Sequence, residues 1–375
     1  MILKSKNFKE TCQIILNAVD GSELSTLTET LELKTRGNVL YLSTTNKEYY
    51  ASVKFQLDHE EEFHASVNAN LFLKLISAIT SDDIELTVYD TYLNVKANGN
   101  YKIPLIFEND RLMEVPAITI ENKTVEMNLS SSVLESIVNY NSSQLNIGTI
   151  ARPVQKMFYV DQEGCITFTS GACVNSFTLE KPIKVLFNLR LVNLFKLFKG
   201  QMVKFTLGYD PISETIVQTK VSFETSNILL SAVTGCDDSL LSQVPVDAIR
   251  GRANKDYPDT VVFNVAALRE AIDRLLLFSA GYGSKENLKP YSAFEFVADK
   301  VTIYDTNKEN MEVLNYQNGT TLTEPYTMTL DLVEFKKILD KCTEQYVTLN
   351  FGDGKACVVT RGSIKNVLPE VIVRG

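Results

Sequence analysis

The sequence predicts an α+β chain of three tandem, similar domains, each with two helices packed on antiparallel sheets. A strand-and-turn motif occurs three times, as VLYLSTTNKEYYASV (39–53), CITFTSGACVNSFTL (165–179) and KVTIYDTNKENMEVL (300–314). Each copy alternates apolar and polar residues and then reaches a short polar turn, which is the period of a half-buried strand entering a tight connection. The peptide Thr45, Asn46, Lys47, Glu48 returns intact as Thr306, Asn307, Lys308, Glu309. Solenoid repeats recur every ~20 to 50 residues, so copies spaced this widely indicate duplicated domains.

Each third also carries two helix-like segments. The first set is 8–19, 131–141 and 265–277, with Asn7 before Glu10 and Ser132 before Glu135 at capping-box spacing. The second set is 69–79, 189–199 and 332–342, each after a good N-cap residue: Asn68, Asn188 and Asp331. Strand-like runs follow at 83–90, 202–210 and 346–354. Linkers are expected near Glu108 to Pro116 and near Asp237 to Pro258, where proline, glycine and charge collect. The domains are accordingly drawn at 1–118, 119–246 and 247–375.

In the helix at 189–199, Leu191, Leu194, Phe195 and Phe198 form the i, i+3, i+4, i+7 stripe of a core-facing helix. Asn193 and Lys196 fall opposite, with Arg190 and Lys199 on the flanks. The whole chain carries a net charge of −9, yet the six helices hold ten basic side chains against six acidic ones. An acidic protein with relatively basic helices can present one face that attracts phosphate while the remainder repels it. As a single helix, 189–199 also reads as an ordinary amphipathic one.

The composition bounds the rest. At 375 residues and 45% apolar content, two to three domains can each bury a core. No stretch approaches the ~20 apolar residues of a membrane span, and MILKSKNFKE lacks a signal-peptide core, so a soluble cytosolic protein is expected. The cysteines 12, 165, 173, 236, 342 and 357 show no CxxC spacing and read as buried thiols. His59 and His64 are the only histidines and lie in DHEEEFH, which reads as a solvated charge run. A phosphate loop, a zinc-protease helix and a serine elbow are all missing. Gly281 to Lys285 reads as a surface loop, and Gly352, Asp353, Gly354, Lys355 as a hairpin turn. No cofactor, metal or catalytic residue is predicted, and the expectation is a protein that is not an enzyme.

In sum these features resemble the bacterial sliding clamp family, the beta subunit of DNA polymerase III, with a viral member included. The resemblance covers the whole length. It rests on the triplicated motif, the paired helices, Ile150 to Val154 before MFYVDQEGCITFTSGACV, LREAIDRLLLFS (268–279) and the tail Val367, Leu368, Pro369. The family implies the DNA-clamp fold: two chains closing head to tail as a homodimeric ring, with the helices of six domains facing double-stranded DNA. Contacts there would go to phosphates and carry no sequence information, which permits sliding. A replicative polymerase and a clamp loader are the implied partners.

By that resemblance Arg152 and Lys196, with Arg190 and Lys199 beside it, are the DNA-facing candidates. In 22–30 the chain lacks the family's basic residue. A cleft for partner peptides would use Val154, Gln155, Thr169, Gly171, Val174, Val367, Leu368 and Pro369. Here Gln155 replaces an apolar residue, Ala172 and Cys173 replace a histidine and an arginine, and Glu370 follows the proline. The subunit interface would join Tyr101 and Ile103 to Arg274, Leu277 and Phe278. Two alternatives remain: a repeat-built interaction scaffold that does not encircle DNA, and an enzyme with a site at a domain interface.

Overall fold

The computed structural model describes all residues except 20–24, 146–150, 212, 214–216, 235–237, 279–289 and 373–375. The loop at Gly281 to Lys285, residue Ile150 and Cys236 therefore lie outside the described residues. The described α-helices are α1 (Ser5–Leu16), α2 (Ala69–Ala78), α3 (Ser131–Ser136), α4 (Leu189–Asn193), α5 (Asp238–Leu241), α6 (Val246–Ala253), α7 (Val265–Phe278) and α8 (Leu332–Leu339). None is long and apolar enough to cross a membrane.

Contacts divide the chain into two units. The first comprises 1–135 and 190–237, the second 136–189 and 238–375, so the division passes through the middle repeat. In the first unit an antiparallel eight-stranded sheet takes four strands from the middle third (Lys123–Ser130, Met202–Pro211, Val217–Glu224, Ile228–Thr234). Tyr49–Gln56, Val39–Thr45, Thr30–Arg36 and His64–Asn68 continue it. The joint is the ladder of Ile228 with Val53 through Ala232 with Tyr49. A four-stranded sheet, Ile2–Lys4, Asp83–Val88, Tyr92–Lys96 and Asn100–Pro104, completes the unit. Phe8 of α1 meets Phe72 of α2 and Phe55 of the large sheet edge-on, at ring separations of 6.3 and 5.4 Å. That edge-to-face geometry suits the ring quadrupoles.

The second unit repeats the plan. Its eight-stranded sheet runs Lys184–Asn188, Met157–Asp161, Gly164–Phe168, Ala172–Ser176, then Ile364–Pro369, Ala356–Arg361, Tyr346–Phe351 and Asp259–Asn264. Ala172 pairs with Val367 at the joint. The four-stranded sheet is Met311–Asn315, Lys300–Tyr304, Tyr291–Val297 and Tyr326–Asp331. Alternation drives these strands: in Asp259–Asn264 every second side chain is buried. Phe294, Phe296, Phe335 and Phe351 fill the core beneath α7 and α8.

The duplicated peptide keeps one backbone feature in both copies. Lys47 and Lys308 both sit at positive φ, 76° and 59°. Side-chain oxygens hold each turn: Asn46 Oδ1 accepts from Glu48 N–H and Tyr49 N–H, and Asp305 Oδ1 accepts from Glu309 N–H. The Asx turn at Asn46, and the wider side-chain bond at Asp305, offset the cost of a left-handed lysine. Five cysteines, Cys12, Cys165, Cys173, Cys342 and Cys357, are free and buried. Burial pushes the Cys173 thiol up to about 12.

Several local readings are corrected. Asn7 lies inside α1, because Ser5 N–H bonds Asp82 O and the helix grows directly from the first strand. Ser132 likewise lies inside α3. The segment expected as one helix at 131–141 becomes a π-helical turn at Ile137–Asn141. There Asn141 is wholly buried and donates to Cys165 O, while its own carbonyl accepts from the Thr167 hydroxyl. The linker expected at 237–258 contains α5 and α6. Asn68 and Asp331 cap α2 and α8 as expected, accepting from Leu71 N–H, and from Val333 N–H and Glu334 N–H.

Candidate functional site

The described surface of the second unit holds a cleft of about 320 Å³ where three pieces of chain meet. Its floor is Ala172 and Ala356, with Val367 and Pro369 beside them, all from adjacent strands of the eight-stranded sheet. The turn Thr169–Ser170–Gly171 forms one rim, and Pro245, Ala248, Ile249 and Arg252 of the α6 segment form the opposite wall. The turn is tight because Thr169 N–H bonds Gly171 O. A Cβ on Gly171 would lie 2.5 Å from Val367 O, so only glycine lets the turn approach the neighbouring strand.

α6 is held by its own chemistry. Arg250 donates Nη1 to Asp161 Oδ2 at 2.8 Å and Nη2 to Asp161 Oδ1 at 2.6 Å, with Glu163 at 3.1 Å. This fork raises the Arg250 pKa, its hydrogen bond to Asp161 being the main cause. Arg252, two residues on, faces the cleft and has no ion pair among the described residues. Glu370, adjacent to Pro369, turns away from the lining: the Tyr326 hydroxyl donates to its two oxygens at 2.9 and 3.0 Å, and burial raises its pKa.

Basic side chains divide by repeat. On α7 and α8 of the third repeat several are neutralised locally: Arg274 with Glu312 at 2.7 Å, Lys337 with Glu334 at 2.7 Å, and Lys336 with Asp273. Arg269 reaches the carboxyl end of α8, donating to Cys342 O at 3.2 Å, and lies 3.6 Å from Asp340. A bare charge count over the helices therefore overstates this repeat. In the middle repeat Lys196 and Lys199 are exposed and carry no ion pair among the described residues. Asn193, Lys196 and Lys199 come out on one side because α4 tightens into a 3₁₀ turn at Leu194–Phe198, whose side chains recur every third residue. Arg190 is exposed and lies 4.0 Å from Glu48. Arg152 is exposed at the head of the 3₁₀ turn Pro153–Lys156.

No family model matches the chain. A 121-residue stretch is 27% identical to the beta sliding clamp of Mycoplasmopsis pulmonis, covering 32% of this chain and 31% of that relative. The matched stretch thus spans about a third of that relative's length. Over the full length, the beta subunit of DNA polymerase III from Thermotoga maritima superposes with a TM-score of 0.79 at 14% identity, covering 100% of this chain and 99% of the other. The Streptococcus pneumoniae beta chain gives 0.80 at 13% identity, with 99% of both chains covered. The chain has the sliding-clamp fold.

On this clamp fold the cleft candidates separate into two groups. Thr169, Gly171, Val367 and Pro369 line the cleft. Val154, Val174 and Leu368 do not: they are 1%, 3% and 2% exposed and belong to the packing beneath it. Gln155 accepts from Arg152 N–H at 3.2 Å and serves the turn instead of the lining. Cys173 is wholly buried, whereas Ala172 is in the floor. Sequence reasoning missed the α6 wall and Lys355; an i, i+4 pair, Ala248 with Arg252, inside a segment read as a linker was the available signal.

Of the interface candidates on the clamp fold, Tyr101 is exposed on the edge strand Asn100–Pro104. Ile103, two residues further along that strand, is 2% exposed and belongs to the core, so it is not available at the surface beside Tyr101. Leu277 and Phe278, at the end of α7, are 73% and 57% exposed. Arg274 is committed to Glu312. In the acidic run, His59 is solvated as expected, but His64 begins a strand and bonds Glu32 at 2.9 Å.

Proposed function

We propose that this chain is a DNA sliding clamp, a processivity factor that encircles duplex DNA and tethers replication proteins through the cleft beside α6. The full-length likeness to DNA polymerase III beta subunits carries the reading, and the short sequence match to a named sliding clamp supports it. The domains are 1–118, 119–246 and 247–375, and two chains close head to tail as a homodimeric ring. Tyr101 on an exposed sheet edge, and Leu277 with Phe278 on a helix end, supply apolar surface suited to that contact. Arg152, Arg190, Lys196 and Lys199 face the DNA backbone. Enclosure supplies persistence, and weak phosphate contacts leave the ring mobile. A replicative polymerase and a clamp loader are the protein partners, in the cytoplasm, and the chain carries out no catalysis.

The test is retention on DNA after loading. A dimer in solution that stays on nicked circular DNA and slips from a linear form supports the reading. A strict monomer at micromolar concentration that leaves both forms equally would overturn it in favour of an interaction scaffold. Neutralising Arg190, Lys196 and Lys199 together should abolish loading or sliding.

A further inference from the structure

The cleft is more selective in charge than its apolar floor suggests. Its lining contains two cations, Arg252 and Lys355, and no carboxylate, in a chain whose net charge is −9. The neighbouring acids are already engaged. Glu370 accepts from the Tyr326 hydroxyl, Asp353 is paired with Lys255 at 2.8 Å, and Asp161 is held by Arg250. Neither Arg252 nor Lys355 has an ion pair among the described residues. Arg252 is half-buried, shares the cleft wall with Ala248 and Ile249, and lacks a counter-charge. A cation without a counter-charge at an apolar cleft favours an anionic partner, and a guanidinium fork matches a carboxylate in both plane and spacing.

We infer that the peptide seated in this cleft is apolar with an obligatory carboxylate, an Asp or Glu side chain or a terminal carboxyl, read jointly by Arg252 and Lys355. This inference rests on the clamp reading and sharpens it. The apolar floor of Ala172, Ala356, Val367 and Pro369 takes the peptide's aliphatic or aromatic side chains. The two cations reject a basic residue at the same place, since like charges brought together oppose binding.

The experiment uses the full chain and fluorescence anisotropy. The probes are labelled heptapeptides of two leucines and one phenylalanine with serine spacers. One spacer is Asp, Asn or Lys at each position in turn, with the terminus free or amidated. The expected result is one position where Asp binds about tenfold tighter than Asn, the scale of a charge-assisted hydrogen bond in a half-exposed site. In R252Q/K355Q that preference vanishes, so that the Asp and Asn peptides bind alike. K355E, on an exposed turn where folding is not at stake, should shift the preference toward Lys. Equal affinity for Asp and Asn peptides, or a preference that survives the double substitution, overturns the inference and leaves the clamp reading standing. Binding by no peptide in the set overturns the inference together with the cleft. Retention on circular DNA, measured in parallel, then reports on the clamp reading separately.

Discussion

Replacing Arg250 with Met removes the anchor of α6 without touching the cleft lining. Asp161 would lose both guanidinium bonds, at 2.6 and 2.8 Å, while its side chain stays only 11% exposed. Removing one partner of a buried pair costs ~3 to 5 kcal/mol because the remaining charge has no compensation. Two features reduce that here: Asp161 still accepts from Glu163 N–H at 2.9 Å, and the Arg250 side chain is itself 17% exposed, so water can reach the site. A loss of about 2 to 3 kcal/mol in the local opening free energy of α6 is expected. Hydrogen exchange of amides 246–254 measures it, and peptide titration should show weaker binding, because α6 carries Ala248, Ile249 and Arg252. The double variant R250M/D161N, with both charges gone, should recover most of the loss. Unchanged protection of α6 in R250M, or a double variant as weak as the single one, would refute the reasoning.

Three other perturbations follow from the same geometry. Gly171→Ala places a Cβ 2.5 Å from Val367 O, which must move the strand joint; thermal unfolding should show a loss of about 1 to 3 kcal/mol along with weaker peptide binding. Asp210 accepts from Asn122 N–H at 2.9 Å, bonds Glu121 N–H and pairs with Lys220, and these bonds, that from Asn122 first, hold its pKa below the usual value. Their contribution is therefore complete above the unfolded value of ~3.9 and is lost as pH falls through the lower folded one, so the stability gap between wild type and D210N should close in acid. Substituting Gln for both Lys196 and Lys199 removes two exposed, unpaired cations. It should flatten the logarithmic salt dependence of DNA binding by roughly two, near 0.9 per lost phosphate contact; an unchanged slope would exclude these lysines from the DNA path.

How legible the molecule was depended on the range of the forces involved. Strands whose partners are hairpin neighbours declared themselves: the alternation at 39–53 becomes two paired strands, with Lys47 at the turn, because both sides of the ladder lie in one short stretch. Asn68 and Asp331 were visible as caps because a cap is a local bond. The start of α1 was not, since Lys4 pairs with Asp83 far along the chain. The helix at 131–141 reads as regular in propensity, yet Asn141 is drawn inward by polar partners on two strands, and the turn widens. In the cleft, Thr169 and Gly171 were accessible by resemblance, while Arg252 was hidden in a segment whose Pro245, Gly251 and scattered charge lacked a helical stripe. Leu368 was misplaced because a strand residue and its neighbours face opposite ways: it is 2% exposed, whereas Val367 and Pro369 on either side line the cleft.

The two eight-stranded sheets have a consequence for how this chain reaches its native state. Each is closed by a ladder between strands remote in sequence, Ile228 with Val53 in one and Ala172 with Val367 in the other. The middle third thus cannot complete either sheet alone, and until its partners arrive two bare strand edges remain open to other chains. Assembly must wait on long-range closure, which is slow by the entropy of the intervening loop. A repeat cut out at its sequence boundary would carry those sticky edges with it. Duplication supplied the parts in series, but the strand ladders make their folding a joint event.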